Sequence, residues 1–288
     1  MRILLSGVVV LLAVLSSAAQ EDRTQITTGN YRDTDPMISP DGNLMAFSSN
    51  RTGKFNIYVF SYRDSGTLQL TKGTYDDRYP NWSPDSKNIV FCSDRTGKGD
   101  IFRSSVTGES GFLQLTEADV MEEYPSVPPN GKGLVWARAE KKGLVRRSMN
   151  VVFSDDSPSG GLAVVLAEGD EPRFSPDGSK ITFVSHRTKN NDVWVMNRDG
   201  SMQTQLTTDP KDDENPFFSP DGKRIVFSSK RTGNADIWVM DSDGTNIRQL
   251  TSDPADETQP CWSVGGYIYY TRAMGEGVSN IFRIKAPK

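Results

Sequence analysis

The chain has 288 residues, of which 33 are basic and 37 acidic, for a formal net charge of −4, with one histidine and two cysteines. A nucleic-acid binder shows a basic face and a high isoelectric point, so this mildly acidic balance argues against one. A single histidine, His186, excludes a multi-histidine zinc or manganese centre.

The first residues read as an export signal, with Arg2 as the positive region, an apolar run from Ile3 to Leu15, and Ser17-Ala18-Ala19 before Gln20. The run is short for a bilayer span. The expectation is a signal peptide over 1–19, cleaved near Ala19, and an exported chain, periplasmic or secreted, without a stable membrane anchor.

From there one phrase repeats. Pro36, Pro80, Pro125, Pro172, Pro216 and Pro260 lie 44, 45, 47, 44 and 44 residues apart. A period of about 40–45 residues is that of a four-stranded propeller blade. Six such units fill residues 20–288 as one six-bladed β-propeller, with no room for a second domain. The fold class expected is all-β, six blades of four antiparallel strands.

Gln25-Ile26-Thr27 comes first and stands before its proline at the interval kept by Gln69-Leu70-Thr71, Gln114-Leu115-Thr116, Gln205-Leu206-Thr207 and Gln249-Leu250-Thr251. These are outer strands. The chain ends three strands into blade six, so residues 24–28 are expected to supply its fourth strand and latch the ring, removing an exposed sheet edge. Blade one carries the turn Ser39-Pro40-Asp41-Gly42, and blade two Ser83-Pro84-Asp85-Ser86. Proline presets φ there, Asp bonds its own backbone, and Gly accepts positive φ. Blade three keeps the turn as Pro128-Pro129-Asn130-Gly131 but has a longer second hairpin and lacks Arg-Thr-Gly. Blade four has Ser175-Pro176-Asp177-Gly178, and blade five gives the cleanest copy, from Asn215 to Met240. Its runs Ile225-Val226-Phe227 and Ile237-Trp238-Val239-Met240 suit strands buried on both faces. Blade six is looser, with Ser263-Val264-Gly265-Gly266. Cys92 and Cys261 fall in different blades, too far apart for a disulfide.

The repeated Pro-x-[Phe/Trp]-Ser-Pro-Asp-Gly, Ile-x-Phe, Arg-Thr-Gly and Asp-Ile-[Trp/Tyr] phrases resemble the WD40-like repeats of the TolB propeller, over residues 24–284. The resemblance implies a propeller scaffold, here without the α/β domain that precedes it in TolB, a component of the Tol–Pal envelope system. The same repeats occur in oligogalacturonate lyases and in the non-catalytic propellers of prolyl oligopeptidases.

In such blades the loops after strands two and four emerge on one face, at the mouth of the central channel, and loops on a rigid scaffold are the usual seat of function. Three residues before each proline stands an acid, Asp33, Asp77, Glu122, Asp213 or Glu257, with Asp170 taking that place in the shortened fourth loop. A ring of six carboxylates would focus a negative potential on a cationic peptide, a basic protein surface or a hard cation. The alternative reading is structural. Arg51, Arg95, Arg187 and Arg231 follow the proline by fifteen residues, and Asn56, Asp100, Asp192, Asp236 and Asn280 by twenty, so charge-assisted bonds could knit each blade instead.

The blade-three hairpin holds the basic cluster Lys141, Lys142, Arg146 and Arg147, a solvated hairpin or a partner contact. His186 sits at a variable loop site and is a poor general base. There is no Gly-x-Ser-x-Gly elbow. Carboxylate-only glycosidic chemistry stays open. Asp241-Ser242-Asp243-Gly244 and Asn197-Arg198-Asp199-Gly200 lack the bidentate Glu of a calcium loop and read as hairpin turns. The expectation is a monomeric, non-catalytic binder of a protein or peptide at the channel mouth, with no cofactor. The alternative is a carbohydrate-active lyase or hydrolase using channel carboxylates.

Overall fold

The computed structural model describes residues 23–109, 111–140, 149–155 and 163–288. Six four-stranded antiparallel sheets follow one another around an axis. Five take their strands in sequence order, from the inner strand (Asp33–Ile38, Asp77–Trp82, Glu122–Ser126, Asp170–Phe174 or Asp213–Phe218) outward. The sixth runs Glu257–Trp262, Tyr267–Gly275, Val278–Lys285 and then back to Thr24–Gln25. The N-terminal strand therefore completes the last blade, with Thr24 opposite Arg283 and Gln25 opposite Phe282.

The latch reproduces the bond that fixes four of the other five outer strands. The hydroxyls of Thr71, Thr116, Thr207 and Thr251 each accept the backbone N–H of the third strand's Ile or Val at 2.9 Å, and Thr27 accepts that of Ile281 at 2.9 Å. This is why Gln-Leu-Thr and Gln-Ile-Thr recur: a short strand fixes its register with a side chain where it has few ladder bonds.

Stacking of the blades forms the core. The second strand of each blade contributes one large ring, Phe47, Phe91, Trp136, Phe183, Phe227 or Tyr270, none more than 1% exposed. A strand covered on both faces has no polar face, which accounts for the continuous apolar runs. The Ser-Pro-Asp-Gly turns close as read from sequence: the Asp carboxylate accepts the Ser hydroxyl and the backbone N–H two residues on, as Asp221 does for Ser219 and Lys223. The two cysteines are unbridged and buried.

Each inner strand also carries a β-bulge at the repeat proline, which sequence did not reveal. Its register shifts between Thr34 and Met37, and at the matching pair in the other five blades. The residue before the proline, Asp35, Tyr79, Tyr124, Glu171, Asn215 or Gln259, stands at φ between 51° and 57° in every case. Proline steers its predecessor away from the right-handed helical region. Here the bulge takes it to the left-handed one, and six side chains meet at the axis.

Candidate functional site

Five of the expected ring acids do form a ring, and it is closed to solvent. Asp33, Asp77, Glu122, Asp213 and Glu257 are at most 1% exposed. Two designs hold them. In blades one, two and five an aspartate meets the arginine of Arg-Thr-Gly, with Arg51–Asp33, Arg95–Asp77 and Arg231–Asp213 all at 3.0 Å. The same arginine donates Nε to Ser49, Ser93 or Ser229 at 2.8–2.9 Å and lies over Tyr58, Phe102 or Trp238. In blades three and six an arginine replaces that serine directly opposite the acid, now a glutamate: Arg138 Nε donates to Glu122 at 2.6 Å, whereas Arg272 Nε stands 3.7 Å from Glu257 and gives its Nη2 to Asp253 at 2.6 Å. Glu for Asp, with Arg moved two residues, was the readable signal for this second design. Burial pushes the Asp213 carboxyl up, and the hydrogen bonds of Ser229 and Arg231 pull it back.

Asp170 does not belong to the ring. It pairs with Val184, the register place of Glu214 opposite Ser228, so the ring position in blade four is Gly169. A Cβ there would lie 2.5 Å from the Val184 carbonyl oxygen, and no side chain fits. Arg187, without a ring acid, turns to the Gln203 side chain at 2.8 Å and the Glu168 carbonyl at 3.2 Å while stacking on Trp194. Nor do the acids twenty residues after the proline meet the arginines. Asp100, Asp192 and Asp236 accept the threonine hydroxyl of their own hairpin and the outer-strand glutamine. Lys141, Lys142, Arg146 and Arg147 lie outside the described residues. His186 is half-exposed, its Nε2 3.6 Å from Glu168.

The polar centre of the channel is the belt of bulge residues. Gln259 Nε2 donates to Asp35, and the Asp35 N–H donates back to Gln259 Oε1 at 3.2 Å. Gln259 N–H donates to Asn215 Oδ1 at 3.2 Å, and Asn215 donates N–H and Nδ2 to the two Glu171 oxygens at 2.6 and 2.7 Å. Tyr79 and Tyr124, the bulge residues of blades two and three, pack together with ring centroids 4.0 Å apart. Arg173, just past the fourth repeat proline, lies below the belt with Nη1 on the Pro125 carbonyl at 3.2 Å. Burial lowers the Arg173 guanidinium from its ordinary value and raises the Asp35 carboxyl.

On the loop face, above the belt, a hollow of about 360 Å³ opens beside blade four, lined by Tyr124, Asp170, Glu171, His186, Asn191 and Glu214 among others. Glu214 is held there by Asn191 at 2.6 Å and Lys230 at 3.4 Å. Burial first, then the charges of Asp170 and Glu214, push the Glu171 carboxyl up to about 8 from its ordinary 4.5. The sign follows. A carboxyl whose folded value is raised favours the fold while protonated, so that contribution is whole below pH 4.5 and is lost as pH rises through about 8. Stability should fall by roughly 1–2 kcal/mol between pH 6 and 9, solvent in the channel being allowed for. Carboxyl carbon NMR of Glu171 checks this directly, and a midpoint below pH 6 would contradict it.

The architecture is a β-propeller in which five of the six blades carry a buried acid at the channel mouth and a polar belt crosses the axis. The chain belongs to the TolB beta propeller domain family (PD40), whose model matches residues 9–171 and 164–287. A search of curated proteins found no match. Among solved structures, one described as TolB from Agrobacterium tumefaciens is 20% identical with a TM-score of 0.69, over 91% of this chain and 93% of that one. TolB from Acinetobacter baumannii is 17% identical, TM-score 0.67, over 90% of this chain and 65% of its own. Oligogalacturonate lyase from Vibrio parahaemolyticus is 14% identical, TM-score 0.64, over 94% and 95%. Identities this low show a shared fold.

Proposed function

We propose that this chain is an exported, non-catalytic propeller that binds a protein or peptide partner on its channel-mouth loop face, in a scaffold role in the cell envelope. The observation that carries the reading is the belt and its rim. Where the ring acid, the arginine, the turn and the outer-strand threonine repeat in most blades, the residues that meet at the axis differ: Asp35, two tyrosines, Glu171, Asn215 and Gln259. Blade construction accounts for the repeated polar residues and leaves these unexplained. The rim is acidic on the side of blades four and five, and Glu171 is crowded by Asp170 and Glu214. A cationic group brought to that hollow relieves the crowding, which favours a basic segment. The ring acids serve this face indirectly, by holding its loops. The apolar Ile3–Leu15 run supports export, and likeness to TolB structures supports an envelope role.

The test is a pull-down from periplasmic extract with the chain lacking residues 1–19, followed by affinity measurement on each recovered partner. Asp170→Asn with Glu214→Gln should weaken binding at least about tenfold at low salt and flatten its salt dependence. Unchanged affinity for every partner would refute the acidic-mouth reading. Charge reversal at Asp77 or Asp213 is unsuited to this purpose, because each would set a like charge against the half-buried arginine that the acid holds.

One observation favours a second reading, a carbohydrate-active enzyme. A carboxyl raised to about 8 beside other carboxylates is how acid and base roles are separated in glycosidic chemistry, and an oligogalacturonate lyase shares the fold. Turnover of uronate or neutral oligosaccharides that disappears in Glu171→Gln would displace the non-catalytic reading.

A further inference from the structure

The belt divides the channel, and on its other side the axis opens again at the face of the Ser-Pro-Asp-Gly turns. This second mouth is a funnel of about 410 Å³. Its lip is one repeat position in all six blades: Pro40, Pro84, Pro129, Pro176, Pro220 and Val264. Val264 is 59% exposed. The walls include Trp82, Phe174, Phe217 and Trp262, and the Trp82 indole N–H is already given to the Met37 carbonyl at 2.8 Å, so that ring asks for no polar partner. Proline has no N–H and one fixed dihedral, so the lip is apolar and rigid. An open apolar cup on a rigid frame loses little entropy when filled, which is what a recognition site needs.

Charge selects the occupant. One residue beyond the lip stand Asp41, Asp85, Asp177 and Asp221, all exposed. Each accepts its own turn's serine hydroxyl at 2.5–2.6 Å and a backbone N–H at 3.0–3.1 Å. Those hydrogen bonds hold the four carboxyls below the usual range and fix them in place. Lys87 and Lys223 stand two residues past Asp85 and Asp221, and Lys132 two past Asn130, which takes the aspartate's place in blade three. The charges one residue beyond the lip are negative and held in place by their turns.

We propose that the turn-face funnel is a second docking site, taking a partner segment in which one bulky apolar side chain is followed by basic residues. The apolar side chain fills the cup, and the basic residues meet the capped aspartates around it. The floor is the belt: Met37 and Phe217 line both the funnel and the narrow space of about 30 Å³ at the axis, which has room for water but not for a side chain, so a segment entering here does not reach the loop face. The site is independent of the loop-face reading and stands or falls without it.

The probe is a capped peptide, acetyl-Leu-Trp-Lys-Lys-amide, against its Leu-Trp-Glu-Glu counterpart, measured by calorimetry and by methyl NMR of the chain lacking residues 1–19. The basic peptide is expected to bind with Kd of about 0.1–1 mM and to shift the Val264 methyls. The acidic peptide should bind at least about tenfold more weakly, and so should the basic peptide to Val264→Arg, a change at an exposed position. Val165→Thr, at an exposed position on the outer strand of blade three, should leave binding at the funnel unchanged. No shift of the Val264 methyls at 5 mM, equal binding of the two peptides, full affinity in Val264→Arg, or dependence on Val165 would each overturn the proposal.

Discussion

Asp213→Ala is expected to destabilise the protein by about 3 kcal/mol, the range for removing one partner of a buried pair. The carboxylate is buried and takes Arg231 Nη2 at 3.0 Å through both oxygens. Removing it leaves a guanidinium, held by Ser229 and stacked on Trp238, that is 15% exposed and cannot reach full hydration. Asp213→Asn keeps the shape and one acceptor and should cost about half as much. Urea unfolding at pH 7 measures both. Adding Arg231→Ala to Asp213→Ala should recover about 1 kcal/mol or more of the summed single-mutant cost, since the orphaned charge leaves with it. A loss below about 0.5 kcal/mol in Asp213→Ala would mean that the ring is not what pins the blade, and would return these acids to the list of ligand groups. The same substitution in blade four has no counterpart, because Gly169 occupies the slot.

A chain beginning at Tyr31 should melt about 10 °C lower than one beginning at Gln20 and should associate at concentrations where the longer chain does not. It loses the Ile26 N–H bond to the Ile281 carbonyl at 2.8 Å, the bond from Ile281 N–H to Thr27, and the Arg23–Asp253 pair at 2.7 Å. It also uncovers the apolar contact of Ile26 with the core cluster that includes Ile281. A few hydrogen bonds at about 1 kcal/mol each, with one half-buried isoleucine, come to roughly 3–4 kcal/mol. At about 2–4 °C per kcal/mol for a chain of this size, that is a shift near 10 °C. The strand Val278–Lys285 then becomes an edge with unpaired backbone groups, which invites pairing with another copy. Calorimetry with light scattering checks both effects, and an unchanged melting temperature would remove the latch from the account of stability.

Both results bear on how far the chain could be read before it folded. A repeat written in proline spacing survives translation into structure because each blade is a local unit: turn chemistry in Ser-Pro-Asp-Gly, apolar runs for the doubly covered strands, and a glutamine-led outer strand. Even the closure was legible, since Gln25-Ile26-Thr27 obeys the interval of the other outer strands, and an interval is a property of sequence. The ring acids were found for the same reason, as a repeated residue at a repeated distance.

Partnership was legible only as a choice: spacing offered Arg51, Arg95 and Arg231 as partners of the ring acids beside an open ligand ring. That Asp33, Asp77 and Asp213 face the arginine and not solvent is decided by burial against the next sheet. Asp170 was misplaced by counting along a shortened loop, where only the ladder, Asp170 opposite Val184, tells which residue fills the slot. The belt was missed for a deeper reason. A bulge at each proline turns Asp35, Tyr79, Tyr124, Glu171, Asn215 and Gln259 to positive φ, and they meet only because six blades converge on one axis. Sequence by itself determined the blades, their number and their closure, since those rest on local turn chemistry and periodic burial. Only the tertiary structure decided which carboxylates are spent on holding the ring and which remain at the channel, since that rests on contacts between residues as far apart as 35 and 259.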